Sequence, residues 1–232
     1  MQPFSSTIRK SFFAVLLLAN VLPLMAQNTD WGLWTNFEIE KALSEKWNFG
    51  IEVESRLKNK LSATDQIRGG LSLSRSLSEH FNLGAGYLLI ARYRKEDYNY
   101  RHRYYLQSRG QYKYKRFTAD WRIRMQLTLL RNRDEYIGTL DSDNTNWELR
   151  NRFRLRYNIK GSSFRPYAHY EMFHQLFSNV QYSHYRNRFC TGTVYRLNKN
   201  HDIVVGYIYE TEVDGLVKNK RNIIQVGFSY SF

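Results

Sequence analysis

The chain has 232 residues, 35 of them Lys or Arg and 21 Asp or Glu, giving a formal charge of +14. An aromatic fraction of 16%, mostly 18 Tyr and 14 Phe, excludes a disordered chain, because so much apolar surface offsets the entropy of ordering. A single Cys excludes an intrachain disulfide framework and a multi-cysteine zinc site.

Arg9 and Lys10 precede the apolar run Ser11 to Leu24, and Leu24-Met25-Ala26 offers a small residue before Gln27. A basic start, a short apolar run and Ala at the cut predict a signal peptide over 1–26 and a mature domain over 27–232. Asn20 and Pro23 interrupt the run, which is too short to cross a bilayer comfortably. No Cys follows the cut, which argues against a lipid-anchored lipoprotein. The expected destination is the envelope of a Gram-negative cell. Farther on, no stretch approaches about 18 consecutive apolar residues, so a helical span of the mature chain is excluded. A membrane β-barrel is not, since its strands hide their apolar residues in alternation.

From Asp30 the dominant period is two. Strands are expected at 30–42, 47–58, 64–77, 81–95, 99–113, 117–130, 145–157, 164–177, 181–196, 201–213 and 220–232. In 117–130, Phe117, Trp121, Ile123, Met125 and Leu127 alternate with Thr118, Arg122, Arg124, Gln126 and Thr128. In 145–157, Trp147, Leu149, Phe153 and Leu155 alternate with Glu148, Arg150, Arg152, Arg154 and Arg156. Each such strand has one apolar and one strongly charged side. Leu43-Ser-Glu-Lys-Trp-Asn-Phe-Gly50 is echoed by Leu77-Ser-Glu-His-Phe-Asn-Leu-Gly84, and loosely by Leu197-Asn-Lys-Asn-His201. These short turns alternate with more variable connections, the longest being Arg131 to Asn144. That is the meander of an outer-membrane barrel, with short turns periplasmic and loops outside.

A soluble sandwich or lipocalin-like barrel would turn its apolar side inward. Strand length decides against it: many segments are longer than the 5–6 residues usual in soluble strands. Aromatics cluster near strand ends (Trp31, Trp47, Phe117, Trp147, Tyr157, Tyr195, Tyr207, Tyr230), as interface girdles require. The last strand carries Ile224, Val226, Phe228, Tyr230 and Phe232 at alternate positions and ends on Phe. It resembles the terminal strand that the barrel-assembly machinery recognises, so Val226, Phe228, Tyr230 and Phe232 are the expected assembly signal. The fold class is therefore an all-β, up-and-down antiparallel transmembrane barrel of about 10–12 strands in the outer membrane. Eleven segments are an awkward number, because bacterial single-chain barrels are normally even. Either 47–58 and 220–232 close a ten-strand barrel, with 30–42 outside it or in its lumen, or a twelfth strand exists.

With apolar residues toward lipid, the lumen is lined by the alternate set. Its basic members are Arg92, Arg94, Arg101, Arg103, Arg122, Arg124, Arg150, Arg152, Arg154, Arg156, Arg186 and Arg188, joined by Arg68 and Arg109. Its acidic members are Glu52, Glu54, Glu148, Glu171, Glu210 and Glu212, with Asp120, Glu38 and Glu40. The acids concentrate on the first two segments and on 201–213, and the arginines on 81–157 and 181–196. One wall would be basic and the opposite wall acidic, a transverse field that orients a charged or dipolar solute with net preference for anions. Arg also grips carboxylate and phosphate through a planar fork. Against this, narrow barrels are often filled by their own side chains, and Arg and Glu could interlock as a plug.

No G-x-S-x-G, Walker, G-x-G-x-x-G or H-E-x-x-H pattern occurs. His169 and His174 should face opposite sides of one strand, while His169 and Glu171 share a side. Cys190 is expected inward as a small packed thiol. No catalytic residue, cofactor or metal is assigned, and the protein is not read as an enzyme. The isoelectric point of about 9.8 invites a nucleic-acid reading. The basic residues alternate with aromatics on strands behind a signal peptide, so lumen lining explains them better.

Trp31-Gly-Leu-Trp34 with Phe37-Glu-Ile-Glu-Lys41, the Leu43-Ser-Glu-Lys-Trp47 turn, Tyr185-Arg-Asn-Arg-Phe189 and Val205-Gly-Tyr-Ile-Tyr209 resemble an uncharacterised family of small outer-membrane β-barrels, a domain of unknown function. The resemblance covers 28–232. It implies the fold and the location and supplies no activity or catalytic residue. In charge pattern alone, the arginine-rich wall is similar to that of small porins for acidic oligosaccharides. The expected partners are outer-membrane lipid, the barrel-assembly machinery and a small anionic solute. The leading expectation is a monomeric porin-like barrel for transport or binding of such solutes. The alternatives are a closed barrel with a structural or surface role, carried by loops such as 131–144, and an envelope-lipid hydrolase with His169 as its candidate.

Overall fold

A segment that is apolar on alternate residues is stable as a strand where its two sides meet different surroundings. A computed structural model describes residues 30–94, 97–130, 145–177, 184–214 and 217–232. All eleven alternating segments are strands: β1 (Asp30–Ala42), β2 (Trp47–Lys58), β3 (Ala63–Ser76), β4 (Phe81–Arg94), β5 (Asp97–Tyr114), β6 (Phe117–Leu130), β7 (Thr145–Tyr157), β8 (Phe164–Leu176), β9 (His184–Arg196), β10 (His201–Asp214) and β11 (Val217–Ser231). The expected signal peptide over 1–26 and the connection 131–144 lie outside the described residues.

The strands form one closed barrel in the order β1-β11-β10-β9-β8-β7-β6-β5-β4-β3-β2. Sequential neighbours pair antiparallel, and the ring is completed by a parallel ladder of β1 with β11, from Asp30↔Arg221 to Glu40↔Ser231. Eleven strands fall within the expected 10–12; the ten-strand alternative with 30–42 outside the wall or in the lumen is corrected, and the ring closes without a twelfth strand. The reason is edge satisfaction. Left out of the wall, β1 would keep rows of unpaired N–H and C=O groups. Inserted, it pairs with β2 along one edge and β11 along the other, at the cost of one parallel ladder that is slightly weaker per residue. Its own alternation permits this. Phe37 stacks on Phe228 with ring centres 5.5 Å apart on the outer face, while Glu38 and Glu40 turn inward.

The repeated sequence motifs build the same turn. Leu43 N donates to Trp47 O (2.8 Å), Leu77 N to Phe81 O (2.9 Å) and Leu197 N to His201 O (3.0 Å). Inside each turn a short polar side chain caps the backbone: Ser44 Oγ accepts from Trp47 N, Ser78 Oγ from His80 N, and Asn198 Oδ1 from Asn200 N and His201 N. These hydroxyl and amide caps are the local reason for a reversal at those positions. All three turns lie at one end of the barrel, the turn end. β1 and β11 both run toward it and end there, where Phe232 N donates to Glu40 O at 3.0 Å.

The outer face carries the large apolar side chains. Leu106 is 60% exposed, and Trp121 and Phe153 stack with ring centres 5.9 Å apart. The inner face is not uniformly polar. Trp34, Tyr167, Cys190, Ile208 and Ile223 form a buried cluster on the inside of β8–β11 and β1, with Val194 and Val204 packed on it. Leu88, Ile90 and Tyr105 form a second. The expectation that apolar residues all face outward is corrected at these positions. The backbone is shaped around them: a Cβ on Gly192 would lie 2.3 Å from Val205 O, and one on Gly86 2.3 Å from the Tyr105 phenol. At Gly192, where the obstacle is backbone, only glycine permits the approach.

Candidate functional site

The interior charges arise from strict alternation and are arranged by register. One row across the wall runs Arg109, Arg122, Arg152, Glu171 and Arg188 on β5, β6, β7, β8 and β9. The next row toward the loops is Gln107, Arg124, Arg150, Phe173 and Arg186, and the next toward the turns includes Asp120, Arg154, His169 and Cys190. Arginines stacked this closely require counter-charges, since unpaired buried charge is costly.

Two carboxylates supply them. Glu171 is 2.6 Å from Arg122, 3.0 Å from Arg150 and 3.3 Å from Arg188. Asp120, its side chain fully buried, is 2.7 Å from Arg154, 3.6 Å from Arg109 and 3.7 Å from Arg152. Each acid is thus shared by three guanidinium groups, and the basic wall keeps a surplus of positive charge.

A chamber of about 520 Å³ opens between this wall and the strands opposite. It occupies the half of the interior nearer the turns, reaching Glu40, Asn48, Ser74 and Asn82, and ends at mid-barrel on Trp34, Arg56, Arg150 and Arg188. Nine arginines line it against five glutamates, namely Glu38, Glu40, Glu52, Glu54 and Glu171. Of the residues expected in the lumen, Arg68, Arg109, Arg122, Arg124, Arg150, Arg152, Arg154, Arg188, Glu38, Glu40, Glu52, Glu54 and Glu171 meet in this chamber.

The remaining residues pair nearer the loops or sit at the ends. Arg186 bonds Glu212, and Arg221 bridges Glu210 (2.7 Å) and Glu212 (2.9 Å). Arg188 also bonds Glu210. Glu148 accepts from Gln126 and Tyr185. Arg103 donates to Thr128 Oγ1 at 2.9 Å, Arg92 lies 3.7 Å from Asp65, and Arg101 is buried on β5. Arg94 is exposed at the loop end of β4, and Arg156 lies across from Thr118 near the turns. The acids of β10 are therefore taken up by β9 and β11. The acidic wall that faces the arginines is confined to β1 and β2, narrower than the charge pattern suggested.

At mid-barrel, charge and aromatic rings interlock. Arg56 lies 3.4 Å and Arg188 4.7 Å from the centre of the Trp34 ring, and Arg150 and Arg188 lie 4.7 Å and 4.8 Å from that of Phe173. This cation–π layer lies at the loop-side end of the chamber.

Alternation did not reveal Asp65. A register shift beside Arg56 and Leu57 gives β3 an extra residue, and Asp65 turns inward to within 3.3 Å of Lys58. A second shift at Phe173 and His174 likewise brings Tyr185 to Glu148. His169 lines the chamber beside Glu171, and its Nδ1 has no hydrogen-bond partner among the described residues. His174 faces outward against His184 with ring centres 4.8 Å apart, so the two histidines do point apart. His169 is in the turn half, not at an outer rim where a lipid hydrolase would act. Cys190 is fully buried, 3.8 Å from Tyr167 Oη. Val226, Phe228 and Tyr230 occupy the outer face of β11.

A closed meander with an aromatic exterior and a charged interior is the β-barrel of outer-membrane type, similar to porins. The NanC porin solved in a rhombohedral crystal form matches 88% of this chain and 98% of its own, at 13% identity and a TM-score of 0.55. The β domain of the Bordetella autotransporter Brka matches 82% of this chain and 86% of its own, at 13% identity and a TM-score of 0.44. At such identities the likeness is one of fold. The chain belongs to the family described as "Protein of unknown function (DUF2490)", which it matches over residues 31–215. No curated protein sequence matches it.

Proposed function

We propose that this barrel resides in the outer membrane and passes or binds small anionic solutes through its arginine-lined interior. The observation that carries the reading is the chamber itself, lined by nine arginines and five glutamates, with Glu171 shared among three of those arginines. A low-dielectric enclosure with surplus positive charge lowers the barrier for an anion and raises it for a cation. On this reading residues 1–26 are an export leader, the outer aromatics meet lipid, and Val226, Phe228, Tyr230 and Phe232 engage the assembly machinery. The fully processed chain, reconstituted in planar bilayers under a salt gradient, tests it. The expected result is an ion-permeable state whose reversal potential favours the anion. Absence of conductance, or cation preference, would overturn it.

The layer at Trp34, Arg188 and Phe173 favours a second reading, a barrel closed at mid-height whose chamber binds without conducting. It predicts no open events in the same recordings.

A further inference from the structure

We propose that the chamber selects solutes bearing both acid groups and an ammonium, with acidic amino acids as the fitting class. This rests on the anionic-solute reading above and deepens it. The basic wall has spare donors. Arg152 and Arg109 reach Asp120 only at 3.7 and 3.6 Å, beyond hydrogen-bond length, and the Nε of each has no partner among the described residues. Arg124 bonds Gln107 at 2.7 Å, lies 3.9 Å over the Tyr105 ring, and makes no ion pair among the described residues. Arg124 and Arg152 sit one row apart, roughly 7 Å along the strands, so they can take two acid groups of one compact solute. A guanidinium fork with free N–H groups is matched by a carboxylate.

Half-way round the ring, the opposite wall carries the reverse charge. Glu38 on β1 and Glu52 on β2 are direct cross-strand neighbours, and Glu40 follows Glu38 on the same side. None of the three makes an ion pair among the described residues. Like charges paired directly across a sheet repel. Arg109 and Arg124 line the same chamber from the basic wall. An ammonium at Glu38 and Glu52 would relieve that repulsion while the acid groups of the same molecule meet Arg124 and Arg152. A plain dianion satisfies one wall and is repelled by the other.

The test compares L-glutamate, glutarate, which lacks the ammonium, and 4-aminobutyrate, which lacks one acid. Each is titrated as a blocker of the bilayer current carried by the mature barrel. Glutamate is expected to block at a concentration about tenfold below either analogue, the effect of one charge-assisted hydrogen bond. Glu38→Gln with Glu52→Gln, which removes repulsion and so leaves folding intact, should bring glutamate to the level of glutarate. Equal block by glutamate and glutarate in the wild type overturns the proposal even if the current is anion-selective. Should the barrel carry no current, the channel reading fails separately. The same titrations are then read from tryptophan fluorescence in micelles, and glutamate must again bind tightest or the proposal falls.

Discussion

Arg188 on β9 places its guanidinium 4.7 Å from the centre of the Trp34 indole on β1, with β10 and β11 lying between them in the wall. The same group bonds Glu210 and lies 3.3 Å from Glu171, so it is held from both neighbouring strands while it reaches inward. Arg56 covers the same ring from β2. A single indole is thus held by two cations at the mid-barrel end of the chamber. Trp34→Ala should raise single-channel conductance and lower barrel stability by about 3 kcal/mol, the usual cost of truncating a buried Trp. An unchanged conductance would show that the constriction lies elsewhere.

Glu171 is shared by three arginines on three strands, so its loss is not the loss of one contact. Glu171→Gln should destabilise the folded barrel by about 3–5 kcal/mol, because cations stay buried without their counter-charge. The readout is the temperature at which the barrel loses its compact electrophoretic form in detergent. Any barrel that survives should favour anions more strongly than the wild type. A variant as heat-resistant as the parent would refute the shared-carboxylate account.

The parallel ladder can be tested by chemistry at its outer face. Thr35 and Val226 are register partners, and both point outward. In a Cys190→Ser background, Thr35→Cys with Val226→Cys should join through a short bifunctional thiol reagent. Ser55→Cys with Val226→Cys should not, because β1 separates those strands by about 10 Å. The opposite outcome would restore a ten-strand barrel in which β2 meets β11.

Phe232 stacks on Tyr230 with ring centres 5.2 Å apart, and Lys41 Nζ lies 5.2 Å from its ring. These contacts lie at the exposed end of the barrel and involve a half-exposed ring. Deleting Phe232 should therefore leave the melting of barrels refolded in detergent nearly unchanged and reduce the amount assembled in cells. Parallel losses in both measurements would make Phe232 a structural residue and remove it as an assembly signal.

Strand positions were readable because period-two alternation persists through all eleven segments, and the repeated Leu-Ser-Glu motif marked two of the turns outright. Inward placement of Arg122, Arg152 and Glu171 followed from the same parity. Parity also put Leu88 and Ile90 on the side of Arg92 and Arg94, and Trp34 on the side of Glu38. Reading oiliness as outwardness masked that signal. Two things had no sequence signal. Asp65 and Tyr185 depend on register shifts, which alternation cannot register. The sharing of Asp120 and Glu171 by three arginines each depends on side chains meeting across strands. The place of β1 was undecidable for a related reason: its alternation suits a wall strand, but nothing local tells a strand that its second neighbour is the far end of the chain.

Every ladder except one joins segments that follow one another in the chain, and three of the reversals are preset by a serine or asparagine cap. Ten hairpin contacts can therefore zip up progressively, each joining chain neighbours at modest entropic expense. The seam between β1 and β11 alone must wait until nearly the whole polypeptide has been arranged. The contact order of the protein is concentrated in that one late event, and an open curved sheet with two bare rims is its natural predecessor.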